Sequence, residues 1–585
     1  LTDSIVFGAA GFIGRALVAE LLGRGRHVAA AVRGPAEPLL SWLRASGADT
    51  GRLTVVTADI TRPGLGLPPD GLRDVRDVYN CAARFAFGLD PEQARAVNVT
   101  GALNVLDWTA SRDSVRRLVH LSGYRVSAGE GAAEKGAAGK AGAGRRADDP
   151  GRLGAYESSK REGDTAVRVR AAELGVPLTI ANPATVIGPG QFIGLASLVG
   201  DLWRGSLHAV PGNARTFLPV VTLEHLTRFL ATVPEDPGAA GEAYWILDDD
   251  TPKLPGLIAL LARHTGTRPP RGRVPVPLLR LLPRRITRAD PETLSFLSAD
   301  RYPTRSATAF ARAHGLRIPP VEEALRGWAD HLVATRFGAA DAPARPYGFH
   351  QVADSRTWLV GERHRPDHVL LHGLPLDSDS WTEVTGRLGG PALAADLPGL
   401  GRSGPSGEGM DAWLTGLMRP LATRPLLTAH SLACGPALRY VRRHPDRVRG
   451  LVLIAPAFLR EPSGRRNPLR LRASALRRVT PADLAGALDV PPGPAIDSAA
   501  AALHRPRGAA RVLAALRAAE ADRASLRREL RDVPVPVTLV AGAADPLTHP
   551  SPHPVVAVPG AGHYPQLTHP GTVARVLDER FRAAA

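Results

Sequence analysis

Ser431, Asp545 and His563 follow one another in the chain, and each lies in a context that could expose it at the end of a strand. Ser431 ends the run Leu-Leu-Thr-Ala-His-Ser, Asp545 ends Val-Ala-Gly-Ala-Ala-Asp, and His563 sits in Pro-Gly-Ala-Gly-His-Tyr. A serine hydroxyl is a weak nucleophile until a base takes its proton, and an imidazole does this best when a carboxylate orients it. The order Ser, Asp, His is therefore read as a nucleophile, its orienting acid and its base, acting on a carbonyl carbon. Small residues are needed around a serine held in a sharp strand-to-helix turn. Here Ala429 and Ala433 stand where glycines are usual, and Gly435 follows. Alanine is the next smallest choice, so the turn is expected to close. The backbone N–H groups of Leu374, in His-Gly-Leu-Pro, and of Leu432 are the expected oxyanion donors.

A second constellation lies far upstream. Tyr156 and Lys160 in Tyr-Glu-Ser-Ser-Lys are four apart, so a helix would place them on one face. An ammonium beside a phenol is expected to lower its pKa. Such a tyrosine can pass a proton to or from a substrate oxygen. The chain has only four lysines (135, 140, 160 and 253) among its 73 basic residues, so the placement of one here is informative. Gly8-Ala-Ala-Gly11-Phe12-Ile13-Gly14 follows an apolar run at 4–7 and opens a helical pattern at 13–23. Glycines in that position let backbone N–H groups and a helix N-terminus approach a pyrophosphate. The second strand ends on Val32 and Arg33, with no acidic residue to hold ribose hydroxyls. Arg33 would pair with a 2′-phosphate, which favours NADP(H) over NAD(H).

The upstream elements together resemble the extended, epimerase-like branch of the short-chain dehydrogenase/reductase family over about residues 3–335. Further pieces come in the family's order: Asp59-Ile60, Asn80-Cys-Ala82-Ala, Asn98-Val-Thr-Gly and Asn182-Pro-Ala-Thr-Val-Ile-Gly-Pro. The resemblance implies that Asp59 and Ile60 lie near the adenine, and it adds Ala82 and Asn98 to the cofactor site. It implies Tyr156 and Lys160 as catalytic groups, with Ser122 or Tyr124 taking the place of the family's second hydroxyl, or Tyr156 holding the carbonyl alone. One departure stands out. Gly123 occupies the place of a second hydroxyl, and Tyr124-Arg125 replaces the acidic residues of sugar dehydratases, so carbonyl reduction or alcohol oxidation is expected instead. Residues 346–585 resemble the α/β-hydrolase superfamily, with residues 457–530 as the cap. A serine rather than an aspartate nucleophile implies ester, thioester or carbon–carbon hydrolysis, or acyl transfer.

These sites need two α/β scaffolds. Strand-like and helix-like segments alternate through 118–121 and 178–181, which predicts a Rossmann-type doubly wound parallel sheet. Alternation weakens over 235–335, read as a helical substrate-binding part. The expected domains are 1–335, a linker at 336–347, and an α/β-hydrolase domain with a helical cap at 348–585. The Gly/Ala-rich stretch 128–150 is expected to be a mobile surface insertion. At 585 residues, two or three cores are expected.

The net charge of +17 raises nucleic-acid binding as a class. Its arginines are scattered and accompany no zinc-finger or aromatic-basic motif, so no nucleic acid is expected. Two cysteines exclude a disulfide framework, and no metal site is expected. No apolar run has transmembrane length and no signal peptide is read at the start, so a cytoplasmic protein without membrane insertion is expected. The expectation for function is a bifunctional enzyme acting on one small molecule of specialised metabolism, an acyl thioester or ester bearing a ketone. A homodimer is the expected assembly. Two other readings compete: one catalytic half joined to a degenerate binding or dimerisation module, and a non-enzymatic NADP-sensing scaffold.

Overall fold

The computed structural model describes residues 2–68, 71–83, 90–125, 155–281, 297–460 and 473–584. The 128–150 stretch lies outside them. The chain divides into two compact units: Leu1–Ser197, His208–Ala259 and Pro270–Trp328 form the first, and Leu198–Leu207, Leu260–Pro269 and Ala329–Ala585 the second.

In the first unit, short apolar runs form a seven-stranded sheet: β1 (Ser4–Phe7), β2 (Val28–Val32), β3 (Leu53–Thr57), β4 (Asp77–Asn80), β5 (Arg117–Leu121), β6 (Leu178–Pro183) and β7 (Ala243–Ile246). Their spatial order is β3-β2-β1-β4-β5-β6-β7, and every pairing is parallel. β1, β2, β4, β5 and β6 are buried throughout, as strands covered on both faces must be. Parallel strands end at one edge, so Gly8, Cys81 and Ser122 all leave the same side of the sheet. The order reverses between β1 and β4, where Phe7 pairs with Asn80. That switch point is where doubly wound sheets hold ligands. Helix α1 (Phe12–Gly23) follows β1, and α2 (Ala155–Leu174) carries the Tyr–Lys pair.

The second unit contains an eight-stranded sheet: β8 (Tyr347–Val352), β9 (Ser355–Gly361), β10 (His368–Leu371), β11 (Ala392–Ala395), β12 (Leu426–His430), β13 (Gly450–Ile454), β14 (Val537–Gly542) and β15 (Val555–Val558). Its order is β8-β9-β11-β10-β12-β13-β14-β15. Only the pairings of β9 with β8 and β11 are antiparallel. β12 lies mid-sheet and leads through Ser431 into α3 (Cys434–Arg443). Between β13 and β14, helices at Ala473–Leu476, Pro481–Leu488, Pro494–His504, Gly508–Ala521 and Arg523–Glu529 occupy the expected cap region.

The compact units differ from a division at residue 335. The helix Val321–Ala334 straddles them. Val333 and Ala334 share a core cluster with Phe349 and Trp358, so the end of that helix packs with the hydrolase sheet. The segment 336–347 contains a turn at Arg336–Gly338, and its last residue opens β8, with the Tyr347 ring stacked on Trp358 at 5.9 Å.

Candidate active sites

In the second unit, Ser431 sits in the strained turn that its neighbours predict. Its φ is +53°, a left-handed conformation that costs an L-residue about 1–2 kcal/mol. Ala429 and Ala433 are fully buried beside it, so the methyl groups fit where hydrogens are usual. Cys434 is buried too, and its thiol donates to the Ala429 carbonyl at 3.2 Å, which ties the helix start back to the strand end. His563 comes from the loop after β15. Its Nε2 lies 3.0 Å from Ser431 Oγ, and its Nδ1 lies 2.9 Å from Asp545 Oδ2. Three side chains spread over 132 residues thus form one continuous hydrogen-bonded line.

The electrostatics suit a neutral base. Burial lowers the His563 pKa, the hydrogen bond it donates to Asp545 raises it, and the Arg460 cation lowers it again; the net direction is down. Burial works to raise Asp545, but its hydrogen bond with His563 and the charges of His563 and Arg460 outweigh that and hold it below the usual range. Arg460 forms an ion pair with Asp545 Oδ1, the carboxylate oxygen that His563 leaves free.

Among the described residues the Leu374 N–H donates to no backbone carbonyl, while the Leu374 carbonyl accepts from the Tyr564 hydroxyl at 3.1 Å. The loop is thus held at the peptide that follows this donor. Gly373 brings this loop against the serine: a Cβ there would lie 2.5 Å from His430 Nδ1 and 2.8 Å from Ser431 Cβ. Leu432 lies in the 3-10 turn Ser431–Ala433 that directly follows the serine. His430 is fully buried and is pushed well below its ordinary pKa by burial, and its Nε2 lies 2.9 Å from the His563 carbonyl. Arg460, Gly373, His430 and Tyr564 thus join the site without having been singled out from sequence. The adjacency of Gly373 to His372 and of Tyr564 to His563 was the available signal. Arg460 carried none, because its partner lies 85 residues away.

In the first unit, Gly8 takes φ +78°, and a Cβ there would stand 2.7 Å from the Ala82 nitrogen. A Cβ on Gly14 would meet the Gly8 carbonyl oxygen at 2.2 Å. Only glycines allow this close turn. Gly11 starts α1 with no side-chain cap and no acidic residue in the first turn, while Phe12 and Ile13 are half-buried. An uncapped helix start beside a glycine turn fits a pyrophosphate. Arg33 is exposed at the end of β2, and its charge reaches Asp59. Asp59 accepts from the Thr61 N–H and hydroxyl at 3.0 and 2.7 Å. The Ile60 carbonyl accepts from Asn104 at 2.8 Å, and the Ala82 N–H donates to Asn80 at 3.2 Å.

The Tyr–Lys pair departs from expectation. Lys160 is buried and donates to the Leu121 carbonyl at 3.0 Å. Burial brings its ammonium down to about 8. Burial, and then the Glu157 carboxylate, push the Tyr156 phenol up, the opposite of the expected lowering. The reason is local: desolvation dominates, and Lys160 is engaged with backbone. Ser122 is buried and its Oγ has no hydrogen-bond partner among the described residues. Tyr124 is buried edge-on against Tyr302 at 5.0 Å, and Arg125 pairs with Glu157 at 3.4 Å. Asn98 donates to Ser159 Oγ at 3.0 Å, which fixes the middle of the Tyr–Lys turn.

Comparison with known proteins agrees with both scaffolds. The NAD-binding family model described as Male sterility protein matches residues 6–208, and that of the Alpha/beta hydrolase family matches residues 369–576. A pimeloyl-[acyl-carrier protein] methyl ester esterase of Aromatoleum aromaticum is 30% identical over 256 residues, 37% of this chain and 99% of that protein. Sterol demethylase protein B of Methylococcus capsulatus is 28% identical over 348 residues, 53% of this chain and 96% of that protein. Among solved structures, the terminal R domain from the myxalamid PKS-NRPS pathway has a TM-score of 0.45 at 20% identity, over 59% of this chain and 93% of that one. No helix among the described residues is long and apolar enough to cross a membrane. The N-terminal part is thus an NAD-binding, reductase-like domain of the kind that uses a nicotinamide cofactor, and the chain belongs through its C-terminal part to the α/β-hydrolase family.

Proposed function

We propose that the chain is a bifunctional enzyme: an NADP(H)-dependent carbonyl reductase or alcohol dehydrogenase joined to a serine hydrolase or acyltransferase that acts on an ester or thioester. The observation that carries the hydrolase reading is the unbroken Ser431–His563–Asp545 line with Ser431 at positive φ. Ser431 Oγ attacks the acyl carbon while His563 Nε2 takes its proton. Leu374 and Leu432 N–H groups hold the oxyanion. His563 returns the proton to the leaving oxygen or sulfur, and water or another nucleophile then releases the acyl group. The likeness to an esterase of acyl-carrier-bound substrates supports a thioester-linked or ester-bearing acyl chain.

In the reductase half, the turn from Gly8 to Gly14 binds the pyrophosphate, and Arg33 pairs with a 2′-phosphate. A bound nicotinamide supplies or accepts hydride. Tyr156 moves a proton at its hydroxyl, and Ser122, whose buried Oγ has no partner, orients the substrate oxygen. Two observations favour a second reading, in which only the hydrolase half turns over: Lys160 serves the Leu121 carbonyl, and the Tyr156 phenol is pushed up.

The test is a fluorophosphonate probe read by intact mass, beside a Ser431→Ala control. One adduct, absent from the control, is the expected result. No adduct on folded protein sinks the hydrolase reading. Oxidation of NADPH by short ketones, run in parallel, separates the bifunctional reading from the second.

A further inference from the structure

The cation beside the proposed acyl site is held in place by the cap. Arg460 pairs with Asp545 Oδ1 while His563 holds Oδ2. A long side chain in an open ion pair wanders and contributes little. Arg460 differs, because the backbone that carries it is gripped at three successive carbonyls. The Phe458 carbonyl accepts from Arg527 Nε at 2.6 Å. The Leu459 carbonyl accepts from the backbone N–H groups of Thr548 and His549, just past Asp545, at 3.0 and 3.1 Å. The Arg460 carbonyl accepts from a terminal nitrogen of Arg523 at 2.6 Å.

Arg523 and Arg527 both lie on the helix Arg523–Glu529, at the end of the cap. That helix is fixed on its other side to α3, which starts behind Ser431. Leu526 packs on Gly435, where a Cβ would lie 2.9 Å from Leu526 Cδ1. Glu529 pairs with Arg442 at 3.1 Å, and Asp522, just before the helix, pairs with Arg439 at 3.2 Å. The helix is a strut from the nucleophile's helix to the cation on the triad acid.

The place of Arg460 matters for what it does to the base. Once His563 takes the serine proton, Asp545 serves two cations. A guanidinium held on Oδ1 weakens the grip of Asp545 on the imidazolium and repels it directly. The Arg460 charge accordingly lowers His563. His563 then stays a free base as the medium turns mildly acidic. Other ionisable neighbours do not stand in for Arg460. Burial pushes His430 and His372 down and Tyr564 up, so none of the three supplies a charge at neutral pH. Arg523, Arg527 and His549 meet the segment through its carbonyls.

We propose that Arg523 and Arg527 are positioning residues of the acyl site: acting through the backbone of Phe458–Arg460, they keep the Arg460 guanidinium on Asp545. The cap thereby sets how far into the acidic range Ser431 stays reactive. The proposal rests on the serine-hydrolase reading above.

The test is the rate of fluorophosphonate labelling of the full chain at about pH 6 relative to about pH 8, a span in which imidazoles titrate. Arg523→Met keeps the length of the side chain and loses the donors. It is expected to lower that ratio by about threefold, in the same direction as Arg460→Gln. Arg527→Met should give a smaller fall, and Arg523→Lys, which keeps a charged donor, should restore most of the ratio. In an Arg460→Gln chain, Arg523→Met should change the ratio no further, because the group it positions is gone. An arginine with a merely structural role would slow labelling alike at both pH values and leave the ratio alone. An unchanged ratio in folded Arg523→Met or Arg527→Met protein overturns the proposal. So does a further fall in the double variant, which would give Arg523 a direct effect on His563. A parent chain that labels at neither pH removes the serine-hydrolase reading and this proposal together, whereas a labelled parent whose variants keep its ratio removes the proposal alone.

Discussion

The two candidate sites are built in opposite ways. In the hydrolase unit, side chains meet side chains: Ser431, His563 and Asp545 are joined at 3.0 and 2.9 Å. In the reductase unit, the precise part is backbone. Gly8 and Gly14 shape a cradle that no Cβ could share, while Lys160 contacts a carbonyl and Ser122 Oγ has no hydrogen-bond partner among the described residues. A protein-only relay must be assembled by the fold. A site built around a nucleotide needs chiefly the right backbone path, with its side chains set by packing. This difference makes the sites separable by mutation.

The sharpest separation should come from Ser431→Ala. It is expected to lower ester or thioester turnover by about 10³-fold or more while leaving NADPH oxidation intact. A parallel fall in both activities would show that the halves are not independent. Tyr156→Phe is the converse, with an expected loss of about 10²- to 10⁴-fold in carbonyl reduction and none in fluorophosphonate labelling. Unchanged reduction would leave Tyr156 without a proton role. Gly373→Ala should push on His430 and Ser431 together. An overpacking cost of about 1–3 kcal/mol and slower labelling are expected, readable by denaturant unfolding and by labelling rate. The smallest effect is a shift in pH dependence. Arg460 lowers the His563 pKa directly and also shares Asp545. Arg460→Gln removes both influences, so the imidazole should protonate at higher pH. Labelling at acidic pH should fall, while the alkaline plateau stays. A profile that keeps its acid limb would assign Arg460 to packing alone.

Much of this was legible in residue order. Strands end where glycine, serine or aspartate follows an apolar run, and parallel pairing brings those ends to one edge. Ser431, Asp545 and Gly8 were singled out by that logic. Alanine at 429 and 433 was readable as tolerable by size, and both are fully buried. The Tyr156–Lys160 spacing gave a shared helix face but not the partner. Whether an ammonium reaches a phenol or a carbonyl depends on the depth of β5 behind it, which spacing does not encode. Where the chain passes from one compact unit to the other was not legible for a related reason. The periodicity of Val321–Ala334 shows that one face is buried, and the contacts of Val333 and Ala334 with Phe349 and Trp358 decide against what. Arg460 was illegible because an ion pair across 85 residues leaves no local pattern.

The positive φ of Ser431 has a consequence for inheritance. Glycine would relieve about 1–2 kcal/mol of backbone strain there and give back about 0.5–1 kcal/mol in unfolded-chain entropy. A lineage free of selection for the chemistry should therefore drift toward glycine at this position and become slightly more robust, so a serine retained in its descendants records selection against the fold's own preference.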